Sequence, residues 1–274
     1  MNIVIIGAKG MLGSMLATVF SDMQPTLLDK EEIDITNAQS VRDVLMPLQP
    51  DVIINAAAYT NVDGAEEHKE DAFLVNETGV KNLGDIANML GATLVHFSTD
   101  YVFPGTQTEG YSEADSPGPA VNVYGQSKLA GERALKESGC NFYLIRTAWL
   151  YGPNGKNFVD TMVELGKTKK HLSVVNDQFG SPTFTKDLSQ FVRSLLEESE
   201  PFGIYHGVNT GSASWFEFAE MIFTIIPGMQ VDVKPVSSAE FSRPAKRPQY
   251  SILKHTKGPE FRDWKEALRE YLGK

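Results

Sequence analysis

The amino-acid sequence predicts an α/β protein: an open, doubly wound parallel sheet followed by a smaller and less regular C-terminal lobe. Three observations carry this expectation. Short apolar runs rich in β-branched residues alternate with longer helical patterns through the first half of the chain. The first of those runs ends in a glycine turn that opens a helix. Later runs end in polar residues: Asn55 after the third, Ser98-Thr99-Asp100 after the fourth and Thr147 after the fifth. In open sheets of this class, ligands gather beyond the carboxyl ends of the strands, so these residues are expected to line one crevice.

Taken in order, the candidate strands are Ile3–Ile6, Thr26–Leu28, Asp51–Asn55, Thr93–Phe97, Phe142–Arg146 and Ile204–Gly207. Helical patterns lie between them at about 11–21, 38–47, 68–90 and 121–138. Strands that read as continuous apolar runs are covered on both faces, which is the signature of a parallel sheet. The pattern loosens after Ala148, where Gly152-Pro153, Gly180-Ser-Pro182, Pro227-Gly228, Pro235, Pro244 and Pro248 punctuate the chain. One helix at about 184–198 is expected to return to the first lobe. A final amphipathic helix, at about Asp263–Leu272, has Asp263 as its N-cap. The expected division is a first domain of residues 1–147, rejoined by about 177–209, and a second lobe of 148–176 and 210–274.

The glycine turn is Gly7-Ala-Lys-Gly10-Met-Leu-Gly13, directly after Ile3-Val4-Ile5-Ile6. Strand, glycine turn and helix in that order mark a Rossmann-type dinucleotide-binding unit. Gly7 permits the tight turn, Gly10 lets the backbone approach a pyrophosphate, and Gly13 lets the helix lie close. The helix N-terminus then presents unpaired N–H groups to the phosphates. Asp29 ends the next apolar stretch, where a carboxylate accepts from an adenosine ribose and repels a 2′-phosphate. NADH or NADPH is therefore the expected cofactor, with NADH favoured; Lys9 and Lys30 leave a cation within reach of a 2′-phosphate.

At 274 residues the chain has room for a sizeable core, and 42% apolar with 22% charged residues is ordinary globular composition. A net charge of −10 argues against a nucleic-acid partner, which calls for a basic face. The single cysteine, Cys140, has no internal partner and reads as a small buried hydrophobe. No apolar run approaches the roughly 18–20 residues that span a bilayer, and no basic flank or cleavage site precedes the first strand. A cytoplasmic protein with no membrane partner is expected. The five histidines, at 68, 96, 171, 206 and 255, show no ligand spacing, so no metal is expected from them.

Tyr124-Gly-Gln-Ser-Lys128 places two side chains on one helical face. A neighbouring ammonium favours phenolate and lowers a tyrosine pKa, which makes a general acid or base near neutrality. Such a pair also arises by chance on solvated helices. Its weight comes from Ser98-Thr99 at the end of the fourth strand, where a hydroxyl can bond a carbonyl oxygen that gains charge. Glycine turn, strand-end Ser/Thr, then Tyr and Lys is the order of the short-chain dehydrogenase/reductase superfamily, and the G-x-x-G-x-x-G spacing resembles it as well. Asn55-Ala-Ala-Ala-Tyr59-Thr60 adds small residues where a cofactor passes close to backbone, although an alanine run also suits helix–sheet packing.

Five motifs make the resemblance specific. Asn55-Ala-Ala-Ala-Tyr-Thr-Asn-Val-Asp63, Phe97-Ser-Thr-Asp-Tyr-Val-Phe103, Asn122-Val-Tyr-Gly-Gln-Ser-Lys-Leu-Ala-Gly-Glu132, Arg146-Thr-Ala-Trp149 and Asn176-Asp-Gln-Phe-Gly-Ser-Pro182 resemble the dTDP-4-dehydrorhamnose reductase family. The similarity runs from residue 1 to the last helix. It implies an extended short-chain fold with a sugar-nucleotide lobe, and reduction of the C4 ketone of a dTDP-sugar by NAD(P)H as the last step of dTDP-rhamnose synthesis. By position it implies that Tyr124 is the proton donor, that Lys128 orients the ribose and depresses the Tyr124 pKa, and that Thr99 bonds the ketone oxygen. Asp100 and Trp149 would contact the sugar. Gly10, Met11, Leu12, Asp29, Asp34, Ile35, Ala58, Tyr59 and Thr60 match cofactor-contacting positions. Arg247 matches an arginine of the substrate lobe, where it either meets the diphosphate or is a solvated surface charge.

One departure concerns metal. Some relatives dimerise around a divalent ion held partly by an acidic residue of the first helix, whereas here no carboxylate precedes Asp22. Bound Mg2+ is therefore not expected, and monomer or homodimer stays open. Three rivals share the fold. A 4,6-dehydratase needs a Glu beside the strand-four Asp, where this chain has Tyr101. An epimerase keeps NAD tightly bound with no net redox change. A non-catalytic regulatory homologue has no need of an intact Thr99, Tyr124 and Lys128.

Overall fold

The structure is a computed structural model that describes residues 1–274 with the exception of Ser242. In chain order it comprises β1 (Ile3–Ile6), α1 (Met11–Val19), β2 (Thr26–Leu28), α2 (Ala38–Leu48), β3 (Val52–Asn55), α3 (Gly64–Glu67), α4 (Lys69–Phe73), a π-helical turn (Leu74–Thr78) and α5 (Gly79–Leu90). There follow β4 (Thr93–Thr99), α6 (Val123–Glu137), β5 (Asn141–Thr147), β6 (Leu150–Tyr151), α7 (Phe158–Thr168), β7 (His171–Val175), β8 (Phe179–Gly180), β9 (Thr183–Phe184) and α8 (Thr185–Glu197). The chain ends with β10 (Gly203–His206), β11 (Ala213–Ser214), α9 (Trp215–Ile225), β12 (Asp232–Val236) and α10 (Trp264–Tyr271).

Six parallel strands form the central sheet in the order β10-β5-β4-β3-β1-β2. Alternate strand residues feed two cores, as the period-two geometry of a strand requires. Ile3, Ile5, Val52, Ile54, Val95 and Ile145 pack under α1 and α8. Val4, Ile6, Ile53, Leu94 and Leu144 pack under α2 and α5. The predicted sheet, and the return of α8 to it, are both observed.

A third cluster, around Tyr151, Phe184, Phe218, Ile222, Trp264 and Leu268, joins α7, α9 and α10. This region is more regular than the sequence suggests: α7, α9 and the parallel pair β7–β12 were not expected there. The reason for missing α9 is physical. Trp-Phe-Glu-Phe-Ala-Glu-Met-Ile-Phe-Thr-Ile is apolar around much of its circumference, so no polar stripe marks the period. Its start is nonetheless a capping box, Ser214 with Glu217. The helix predicted at 68–90 is observed, running without a gap from Lys69 to Leu90, and within it a π-helical turn sets Asn76 in the interior.

Behind the strand ends, Arg146 on β5 and Glu132 on α6 form a fully buried bidentate pair, at 2.9 and 2.8 Å. Ser98 donates to the same carboxylate at 2.7 Å, and the guanidinium lies 5.0 Å from the Phe103 ring centre. Removing one partner of such a pair leaves an uncompensated buried charge. Arg146→Met is therefore expected to lower stability by about 3–5 kcal/mol, read as a fall in Tm and in the denaturant midpoint. A change under about 1 kcal/mol would mean that Glu132 finds another partner.

Candidate active site

The carboxyl ends of β1 to β5 open onto one cleft of about 1030 Å³. Its lining includes Gly7, Gly10, Met11, Leu12, Asp29, Asp34, Ile35, Ala58 and Thr60, together with Thr99, Asp100, Tyr124, Lys128 and Trp149. Gly13, Tyr59 and Arg247 do not line it. A Cβ at Gly13 would collide with the Gly7 carbonyl, so this glycine lets α1 lie close on the end of β1. Tyr59 is held through its backbone: Asn76 Oδ1 accepts its N–H at 2.9 Å and Asn76 Nδ2 donates to its carbonyl at 3.1 Å. Asn76 also donates to Ser127 on α6 at 2.9 Å. It was not among the candidates; its only sequence signal is a polar residue on the buried side of a helical pattern.

The cofactor half of the cleft fits a dinucleotide. No side chain caps the N-terminus of α1 and its first turn carries no carboxylate, so N–H groups and the positive end of the helix dipole face the cleft. Gly7 sits at φ 77°, and a Cβ there would press within 2.7 Å of the Ala57 nitrogen. Asp29 accepts the Lys9 N–H at 2.8 Å and the Lys30 N–H at 2.9 Å. Partial burial works against its ionisation, but those two N–H groups and the nearby lysines outweigh it, and the carboxyl stays below its ordinary range. The Lys9 ammonium pairs with Glu31 at 2.8 Å.

The reactive end lies where β4 meets α6. Thr99 donates to Asp100 Oδ1 at 2.8 Å and accepts the Tyr101 N–H at 3.2 Å. Burial pushes the Asp100 carboxyl up to about 6, against the Thr99 hydroxyl that donates to it. Three buried polar atoms on this wall have no partner among the described residues: Asp100 Oδ2, Thr147 Oγ1 and Trp149 Nε1. Buried polar atoms of this kind are normally satisfied, so they mark places for ligand groups. Tyr124 contacts Tyr101 edge-on, with ring centres 6.0 Å apart. The Tyr124–Lys128 spacing does not have the effect expected of it. The Tyr124 phenol is not acidified: burial and then the Asp100 charge raise its pKa, opposed by the Thr99 hydroxyl, and Lys128 makes no contribution.

A second cleft of about 840 Å³ adjoins the first across Tyr101 and the Trp149/Trp215 pair. Phe158, Val174, Gln178, Trp215, Arg243 and Lys246 are among its lining residues; of these only Gln178 falls in a motif marked from the sequence, Asn176–Pro182, and none was assigned a role. Trp149 stacks on Trp215 at 3.5 Å with the planes 7° apart, and its φ of 46° is rare for a bulky residue. One of its faces is therefore taken, and Gly180 packs close against the Nε1 side of the ring, while Nε1 itself has no partner among the described residues. Arg247 lines this second cleft but is neither solvated nor unpaired. Asp63 holds it through both oxygens, with Nη2 at 2.9 Å. The more exposed cations on the rim are Arg243 and Lys246. Among the described residues no group of three His, Cys, Asp or Glu side chains is placed to hold a metal.

Comparison with known proteins agrees with this geometry. The family described as "RmlD substrate binding domain" matches residues 1–274. The Spore coat polysaccharide biosynthesis protein SpsK of Bacillus subtilis (strain 168) is 40% identical over 277 residues, covering 99% of this chain and 96% of that protein. The dTDP-4-dehydrorhamnose reductase of Streptomyces griseus is 39% identical, covering 97% and 91%. The crystal structure of dTDP-4-dehydrorhamnose reductase from Bacillus anthracis str. Ames in complex with NADP superposes with a TM-score of 0.95 at 42% identity, covering 99% and 98%. With the family matched from end to end and relatives near 40% identity across nearly the whole chain, the protein belongs to the RmlD substrate binding domain family.

Proposed function

We propose that this protein reduces the C4 ketone of dTDP-4-dehydro-L-rhamnose to dTDP-L-rhamnose with NADH or NADPH. The observation that carries the reading is the meeting of two clefts at Thr99, Asp100 and Tyr124: one cleft fits a dinucleotide, and the other has the size and cationic rim for a nucleotide sugar. The bound nicotinamide supplies hydride to the ketone carbon. Thr99 turns its hydroxyl from Asp100 to the ketone oxygen and stabilises the charge that develops there. Tyr124, kept as a phenol by its surroundings, gives its proton to that oxygen. Lys128 holds the cofactor ribose. Asp100 Oδ2 and Trp149 Nε1 take up sugar hydroxyls, and Arg243 and Lys246 face the diphosphate.

Asp29 sets the cofactor preference. Its carboxylate accepts from ribose hydroxyls, whereas a 2′-phosphate meets it as a like charge, and Lys9 can answer that phosphate only by leaving Glu31. Asp29→Ala is expected to raise the NADPH-to-NADH ratio of kcat/KM by about tenfold, about 1.4 kcal/mol. An unchanged ratio would place Asp29 away from the ribose.

Relatives at 37% and 36% identity are named Probable dTDP-4,6-dihydroxy-2-methyloxan-3-one 4-ketoreductase and dTDP-4-keto-6-deoxy-D-glucose reductase. The test is therefore comparative: NAD(P)H oxidation is followed with dTDP-4-dehydro-L-rhamnose generated in situ and with dTDP-4-keto-6-deoxy-D-glucose. A higher kcat/KM with the rhamnose precursor supports the reading. Preference for the other sugar would reassign the substrate, and no oxidation with either would remove the reductase function.

A further inference from the structure

Three stretches far apart in sequence meet beside the start of α6 and are tied to one another in pairs. The first follows β3 and carries Asp63 and Glu66, the second is Asn122–Gly125, and the third is the 243–247 segment of the C-terminal lobe. Asp63 accepts the Ala245 N–H at 3.1 Å and holds the Arg247 guanidinium through both oxygens. Glu66 Oε1 accepts the Val123 N–H at 2.9 Å. Asn122 Nδ2 donates to the Lys246 carbonyl oxygen at 2.7 Å, and its Oδ1 accepts the Gly125 N–H at 2.7 Å as the N-cap of α6.

Asn122 is the corner nearest the chemistry. A backbone N–H only donates and a carbonyl only accepts, so both ends of its amide are fixed. Asn122 and Ala245 are buried, and such links are not readily replaced by water. Gly125 also packs against Tyr101, whose carbonyl oxygen a Cβ there would strike, so the helix start has no slack toward the end of β4. Each stretch leads to a different part of the site. Asp63 follows Thr60 on the cofactor wall, and Asn122 precedes Tyr124 and Lys128. The third segment carries Arg243 and Lys246 on the rim of the second cleft. Arg243 reaches Asp63 only at 3.7 Å and stays largely exposed.

We propose that Asn122, Asp63 and Glu66 are positioning residues that form a clamp. It holds the 243–247 segment, and the nucleotide sugar that segment receives, in register with Tyr124 and the cofactor wall. What is aligned rests on the reductase reading; the clamp does not. Cofactor and proton donor belong to the first lobe, whereas the cations for the diphosphate belong to the second. Hydride and proton must nevertheless reach one carbonyl group, and an offset of about 1 Å between the lobes can cost about 10²-fold in rate. The clamp ties the lobes close to the reacting atoms. Its pairing with Asp63 also explains why Arg247, unlike Arg243 and Lys246, is not free for the substrate.

Asn122→Ser is the test, because serine caps a helix as well as asparagine but is too short to hold the Lys246 carbonyl. The variant is expected to fold with a small fall in Tm and to bind NADH as the wild type does. It should lose about 10- to 100-fold in kcat, with KM for dTDP-4-dehydro-L-rhamnose nearly unchanged. Amide hydrogen exchange of the full-length, ligand-free protein gives a second readout. Exchange is expected to speed up at Ala245, whose N–H donates to Asp63, and at Val123, whose N–H donates to Glu66. Asp63→Asn, made at another corner, should speed exchange at Val123 and lower kcat in the same way. A kcat within about twofold of wild type in Asn122→Ser overturns the positioning role, as does a loss carried by KM or by Tm alone. Unchanged exchange at Ala245 and Val123 would show three independent bonds and no clamp. If Asn122→Ser does not fold, Asp63→Asn decides by the same two readouts. Absence of turnover by the wild type with either 4-keto sugar would remove the reductase function and leave exchange to decide the clamp.

Discussion

Tyr124→Phe is expected to fold, to bind NADH normally and to lose about 10²–10⁴ of kcat, or roughly 3–5 kcal/mol of barrier. The geometry gives a reason for each part. The Tyr124 ring meets Tyr101 edge-on, a contact that phenylalanine keeps. Its hydroxyl makes no hydrogen bond that holds an element in place, so the loss falls on chemistry and not on folding. Among the described residues, the Thr99 hydroxyl is the hydrogen-bonding influence on the phenol, and it belongs to the same site. Steady-state kinetics with cofactor binding measured separately is the check. Near wild-type kcat would move the proton donor to Tyr101 or to solvent.

Lys128→Met is expected to lower kcat/KM by about 10²–10³ and also to weaken cofactor binding, because it removes a donor from the ribose side of the cleft. This second effect separates it from Tyr124→Phe. The Phe97 carbonyl and the His96 Nε2 lose their partner too, so a modest fall in Tm accompanies the kinetic loss. If Tyr124 gives the proton and Lys128 places the cofactor for the same reduction step, the double variant should be little worse than the poorer single. Losses that multiply would show two independent roles.

The sheet was legible because its strands are continuous apolar runs and its helices are amphipathic, so local period and tertiary role agree. The same holds for the cleft: Asn55 and Thr99 end strands, Gly7 and Asp29 directly follow them, and the doubly wound topology brings strand ends together. What the sequence hid lies in long-range pairings. Nothing local says that Asp63 takes both oxygens to Arg247, 184 residues away, or that Trp215 covers a face of Trp149. The Tyr124–Lys128 spacing suggested an ammonium acting on a phenol. The buried contacts of Lys128 with the Phe97 carbonyl at 2.7 Å and with His96, itself beside Asn55, could not be read from that spacing. Asn76 escaped notice because the π-helical turn that aims it inward has no period of its own.

The reductive transfer itself is tested most directly by following the label from cofactor to sugar. Turnover of dTDP-4-dehydro-L-rhamnose with NADPH deuterated at the transferable C4 position should yield dTDP-L-rhamnose carrying one deuterium on its own C4, with one cofactor oxidised per sugar reduced. Product without deuterium, or a changed sugar with no net oxidation of cofactor, would contradict hydride transfer to the C4 ketone and point to an epimerase.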